Sequence, residues 1–248
     1  MCDITTDPWL DSADPRVRRE CLERLPGTDD IVLVGVVHDH PASVYRARRV
    51  VAEVAPATLA LELPPLAVPL AAHHATEART PPTLGGEMSA AIQAADTDRV
   101  VGIDGPSRGF FRYLAAELAD TDASLSTLRR TAGAVRTVGK RALASRIGAT
   151  VARRTTLSVA VDAPTAYDTD RSDEPREQAA DEHGHIRTAS SMLQAFSPPP
   201  ATAIHRRARE RHMAARLDRL RTEGTVVAVV GIAHLGPIAD HLRDAADE

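Results

Sequence analysis

Ile31-Val32-Leu33-Val34-Gly35-Val36-Val37-His38 and, far along the chain, Val226-Val227-Ala228-Val229-Val230-Gly231-Ile232-Ala233-His234 say nearly the same thing. Each is a β-branched apolar run that ends in Gly-x-x-His. Such a run reads as a buried strand, and its glycine marks the sharp turn at the strand's end. Each histidine then sits just past its strand, at the sheet edge where open α/β proteins place their chemistry. A lone histidine there is ordinary packing. Two in matched settings point to a shared site.

The residues around these runs supply an α/β frame. Residues 15–25 read as a short helix ended by Pro26-Gly27. After the strand at 31–37, Val44, Ala47, Val51 and Val54 recur at helical spacing, up to Pro56. Residues 59–63 form the next strand, stopped by Pro64-Pro65, so that 31–63 predicts a βαβ unit with a parallel strand pair. A helix over 86–95, a strand over 99–104 and a helix from Ser107 follow. Further helix is expected over 201–220, with the second Gly-x-x-His strand next and a closing helix from Pro237. The expected fold is a mostly parallel central sheet from two pseudo-repeated halves, flanked by helices. A helical insertion at about 121–200 completes a single domain over 1–248. Within it, the acidic, polar stretch 162–185 reads as a mobile loop.

Composition narrows the function classes. The 248 residues are 43% apolar, enough for a full core, and the net charge of −4 gives no case for nucleic-acid binding. Cys2 and Cys21 offer neither a disulfide framework nor a cysteine zinc site. Asp3, Asp7, Asp11 and Asp14 stand where a signal peptide would be basic, and no apolar run reaches the roughly 20 residues that span a bilayer. A cytoplasmic protein is expected. The stretch 129–154 carries many Arg residues and Lys140 without an acid; it reads as a solvated helical face or as a peripheral contact with an anionic membrane.

The polar residues at predicted strand ends are His38, Glu62, Asp104 and His234. In a parallel sheet all four project toward one edge. Imidazole with carboxylate suits zinc, manganese, cobalt or iron better than calcium or magnesium. Each residue also has a plainer role: a helix cap for His38, an ion pair with an Arg for Glu62, a turn for Asp104, a loop hydrogen bond for His234. His73-His74 and His183-x-His185 lie in loop-like contexts and read as surface histidines. The chain has no Gly-x-Ser-x-Gly elbow, Walker loop or Gly-x-Gly-x-x-Gly fingerprint.

In order along the chain, several segments resemble the TraB/PrgY/GumN family, related to the Tiki proteins. Gly35 to His38 with Ser43-Val44 is similar to its first glycine-histidine motif, and Leu61-Glu62-Leu63 to its Glu-Leu strand end. Gly86-Glu87-Met88 resembles its Gly-x-Glu-Met helix, and Val101 to Asp104 its Asp-Arg-Asp strand. Glu210-Arg211 with Met213-Ala214 resembles its Glu-Arg-Asp helix, and Val227 to Ile238 its closing motif. Pro64, Ala67, Gly105-Pro106 and His212 depart from the pattern. The resemblance implies an α/β fold and, in the Tiki branch, metal-dependent proteolysis through the two Gly-x-x-His motifs and a Glu.

The expected activity is therefore that of a metal-dependent hydrolase acting on peptides. His38 and His234 would hold a divalent ion (Mn, Co or Zn), with Glu62 as third ligand or general base. Glu87, Asp104, Glu210 and Arg211 would surround them, Arg211 being suited to a substrate carboxylate or a developing oxyanion. The alternative is a non-catalytic regulatory protein that binds a peptide or a small ligand.

Overall fold

The computed structural model describes residues 12–121, 124–154, 165–195 and 198–246. Five strands form one sheet: β1 (Leu22–Leu25), β2 (Ile31–Val36), β3 (Thr58–Leu61), β4 (Val100–Gly102) and β5 (Val226–Gly231), in the spatial order β1-β2-β5-β3-β4. All neighbours are parallel except β1 and β2. The two matched runs lie side by side, Ile31 opposite Val226 and Val36 opposite Gly231. Every residue of both is buried, which is why neither alternates with polar residues.

Eight helices among the described residues flank this sheet: α1 (Pro41–Val54), α2 (Val68–Ala75), α3 (Gly86–Ala94), α4 (Arg108–Asp120), α5 (Leu125–Arg154), α6 (Pro175–Ala195), α7 (Pro200–Arg221) and α8 (Ile232–Asp244). The twofold period of a strand sends alternate side chains to opposite faces. Val32, Val34, Val36, Leu59, Leu61, Val227 and Val229 pack on one side with Ala47, Val50 and Val51 of α1 and Met88 of α3. Ile31, Leu33, Ala60, Val226, Ala228 and Val230 pack on the other with Met213 and Leu217 of α7 and Ile238 and Leu242 of α8. No helix among the described residues is long and apolar enough to cross a membrane.

Four expectations need correction. Residues 15–25 are not a helix: a single 3-10 turn, Arg19–Cys21, leads into β1. Leu22 and Leu25 are three apart, as on a helix face, but on this edge strand they enter opposite core layers. The strands at 31 and 59 are parallel but not paired, because β5 lies between them. The closing helix starts at Ile232, with Pro237 inside it, rather than at Pro237.

The fourth concerns the expected mobile loop 162–185. Residues 162–164 lie outside the described residues, but from Pro175 the chain is α6, with Gln178, Ala179 and Glu182 buried. Glu182 is buried because it answers a buried cation. Arg46 of α1, with no exposed surface, donates to both its oxygens at 2.7 and 2.9 Å. Acidic composition signalled solvent here, where the acid is one half of an internal pair.

Candidate functional site

Four parallel strands deliver their next residues to one edge of the sheet: His38 after β2, Glu62 after β3, Asp104 after β4 and His234 in the first turn of α8, after β5. The sheet edge alone does not gather the side chains; the two motif glycines do. At Gly35 an added Cβ would lie 2.6 Å from Ile232 Cδ1 and 2.9 Å from Leu235 Cδ1, so the glycine lets α8 close onto β2. At Gly231 an added Cβ would lie 3.4 Å from Glu62 Oε2, 3.5 Å from His38 Nε2 and 3.7 Å from His234 Cδ2. Both imidazoles and the carboxylate thus converge on Gly231, a backbone position that carries no side chain.

Each imidazole is held from behind by a buried acid. His38 Nδ1 donates to Glu87 Oε1 of α3 at 2.7 Å, and His234 Nδ1 donates to Glu210 Oε1 of α7 at 2.9 Å. With Nδ1 committed in both rings, Nε2 is the nitrogen turned to the shared space. Glu62, buried, accepts from the Gly231 amide through Oε2 at 2.6 Å and from Arg209 Nη2 through Oε1 at 2.5 Å. Arg209 also grips Asp104 with two bonds of 2.9 Å and approaches His234 Nε2 at 3.3 Å. Burial works against the Arg209 charge, but Asp104 and then Glu62 outweigh it and raise its pKa.

The His38 loop is tightly specified. Asp39 takes a left-handed φ of 61°, tolerated by Asp far better than by a branched residue, and its amide donates to Glu87 Oε2 at 2.8 Å. His40 caps α1 by accepting from the Ala42 amide, and Tyr167, packed edge-on against His40, donates its hydroxyl to the His38 carbonyl. The His38 side chain is 58% exposed, whereas that of His234 is 12% exposed, so the site opens to solvent over His38. The Glu87 bond lifts the His38 pKa to about 9.

Of the acids singled out in the sequence, Glu87 bonds His38, Glu210 bonds His234 and Glu62 lies 3.5 Å from His234, while Asp104 reaches the centre through Arg209. Arg211 does not: it turns away to Glu117 of α4, at 3.0 Å. The arginine in the site is its near neighbour Arg209, which sequence reasoning missed. The signal was the demand of Glu62 and Asp104, two buried acids at neighbouring strand ends, for a cation. His73 and His74 fall on α2 and His183 and His185 on α6, all outside the centre.

The donor chemistry fits a divalent ion. Two imidazoles backed by carboxylates, with a third carboxylate between them, are the usual surroundings of a metal-ligating histidine pair. Among the described residues, however, no three His, Cys, Asp or Glu side chains already stand around one point. Arg209 bridges the acids and one of the rings, bonding Glu62 and Asp104 and approaching His234. No family model, curated protein or solved structure matches the chain.

Proposed function

We propose that this chain is a metal-dependent hydrolase of peptides, in which His38 and His234 hold the ion through Nε2. The convergence of two histidine–carboxylate pairs on Gly231, with Glu62 beside them, carries this reading. A bound Mn, Co or Zn ion would polarise the scissile carbonyl and make its water acidic. Glu87 and Glu210 each hold an Nδ1 proton and keep both Nε2 atoms directed inward, and His38 would release its Nε2 proton in order to hold an ion. Glu62 is the base positioned to accept a proton from the attacking water and return it to the amine as the C–N bond breaks. Arg209, anchored on Asp104, donates toward a carbonyl oxygen that gains negative charge.

Metal analysis of the purified protein, with peptide cleavage assayed in Mn, Co and Zn, tests the proposal. His38→Ala and His234→Ala are each expected to lose the ion and to lower turnover at least 100-fold, about 2.7 kcal/mol. Unchanged metal content and cleavage in both would overturn it. The hold of Arg209 on Glu62 favours a second reading, a regulatory protein that sequesters a peptide or small ligand. Stoichiometric peptide binding without turnover in any metal is its outcome.

The same proposal takes the chain as a cytoplasmic member of the TraB/PrgY/GumN group, with two pseudo-repeated halves and about 121–200 as an inserted helical section. It also gives α5 a partner. Arg129, Arg136, Lys140, Leu143 and Ile147 are all exposed and fall along one side of this acid-free helix, opposite the buried Thr131, Ala142 and Ala149. Cations in line with apolar side chains suit an anionic lipid surface.

A further inference from the structure

Beside Asp104 a cavity of about 140 Å³ lies between α4, α5 and α7. Pro106, Phe110, Val135 and Val138 give it apolar walls. Asp104 and Arg209, bonded to each other, and His205, one turn before Arg209 on α7, supply its polar side. The Phe110 ring is buried, stands edge-on to His205 with centroids 5.4 Å apart, and lies so near the backbone that a Cβ on Gly105 would come within 2.8 Å of it. Burial, then the Arg209 charge, lowers the His205 pKa, so this imidazole adds no charge at neutral pH.

Size and chemistry together define the occupant. An apolar cavity of roughly 150 Å³ accepts a molecule such as benzene, whereas whole-ligand pockets begin at about 300 Å³. The space therefore takes one side chain, not a ligand. Asp104 and Arg209 already neutralise each other through two bonds, so neither offers a free counter-charge to an inserted carboxylate or ammonium, and an indole exceeds the volume. We propose that the cavity is a substrate side-chain subsite, receiving Leu, Ile, Val or Met from the residue that flanks the scissile bond. Arg209 lines the cavity and also bonds Glu62 and approaches His234, so the subsite adjoins the proposed centre. This inference rests on the hydrolase reading and supplies its substrate class.

Two measurements test it together. The first compares cleavage of peptides that differ at one position, Gly, Val, Leu, Asp or Trp, by wild-type protein supplied with Mn, Co or Zn. Leu and Val are expected to exceed Gly, Asp and Trp at least tenfold in kcat/KM. Val138→Trp fills the cavity and should reverse the order in favour of Gly, while Val138→Ala should admit larger side chains. The second needs no turnover: N-acetyl-leucinamide and N-acetylglycinamide are titrated onto wild-type and Val138→Trp protein by NMR. Leucine-selective binding lost in Val138→Trp, without cleavage of any peptide, upholds the subsite and removes the hydrolase. Cleavage indifferent to side chain and to Val138 overturns the subsite and leaves the hydrolase. Neither binding nor cleavage overturns both.

Discussion

Gly35 and Gly231 occupy like places in two like strands, yet a methyl group on each should have opposite consequences. At Gly35 it would collide with Ile232 and Leu235, so Gly35→Ala is expected to cost about 1–3 kcal/mol in thermal or denaturant unfolding. Gly231 has ordinary backbone angles and 3.4 Å or more of clearance. Gly231→Ala should therefore fold normally, within about 1 kcal/mol of wild type, while its methyl takes up the space between Glu62 and both rings and lowers peptide turnover about 100-fold. A destabilised but fully active Gly231→Ala protein would contradict this division. At this scale the sequence was informative wherever a residue was unusual for its setting: histidines ending apolar strands, a glutamate within one. It was blind to Arg209, because 207, 209 and 211 are identical side chains on one helix. Only the 100° step between successive helical positions sends Arg209 to the centre and both Arg207 and Arg211 to Glu117.

Among the elements, α6 shows where composition misleads and buried charge decides. Burial opposes the Glu182 charge, but the bonds and charge of Arg46, then Ser43, outweigh it and hold the carboxyl below its ordinary range. A group with a depressed native pKa contributes stability above its unfolded value, near 4.5, and loses that contribution as pH falls through the native value. Glu182→Gln should then destabilise the protein by about 3–5 kcal/mol at neutral pH, since Arg46 is left charged and enclosed. It should also flatten the acid limb of a stability–pH curve below pH 4.5. Ser43 links this pair to the site, accepting from the Val37 amide at 2.7 Å while it donates to Glu182, so turnover should fall with stability. For α5, vesicles with anionic headgroups are expected to bind the protein at low salt and release it as salt rises. Neutral vesicles should not bind, and Lys140→Glu with Arg136→Glu should abolish binding; equal binding to neutral vesicles would remove the lipid partner. The edge strand β1 and the helix α6 were illegible for related reasons. A three-residue apolar spacing suits both an edge strand and a helix, and an acid's partner 136 residues away leaves no local trace.

For the molecule as a whole, the arrangement of strands was the least legible feature. Apolar runs announced the strands, but nothing local announces that β5 enters between β2 and β3. That insertion makes β5 the central strand, sharing edges with both and buried at every residue. A chain ending at Arg221 should show no cooperative thermal transition by circular dichroism, because β2 and β3 would each face an empty groove. A sharp transition in that fragment would mean that the earlier strands pair without it. Because β5 is also the last of the described strands in chain order, synthesis itself acts as a safety catch. His38 and Glu62 emerge early, but the backbone they meet on and the histidine opposite them are made after the other described strands. Under the hydrolase proposal, a growing chain carries no assembled peptide-cutting centre beside other nascent polypeptides until β5 is made.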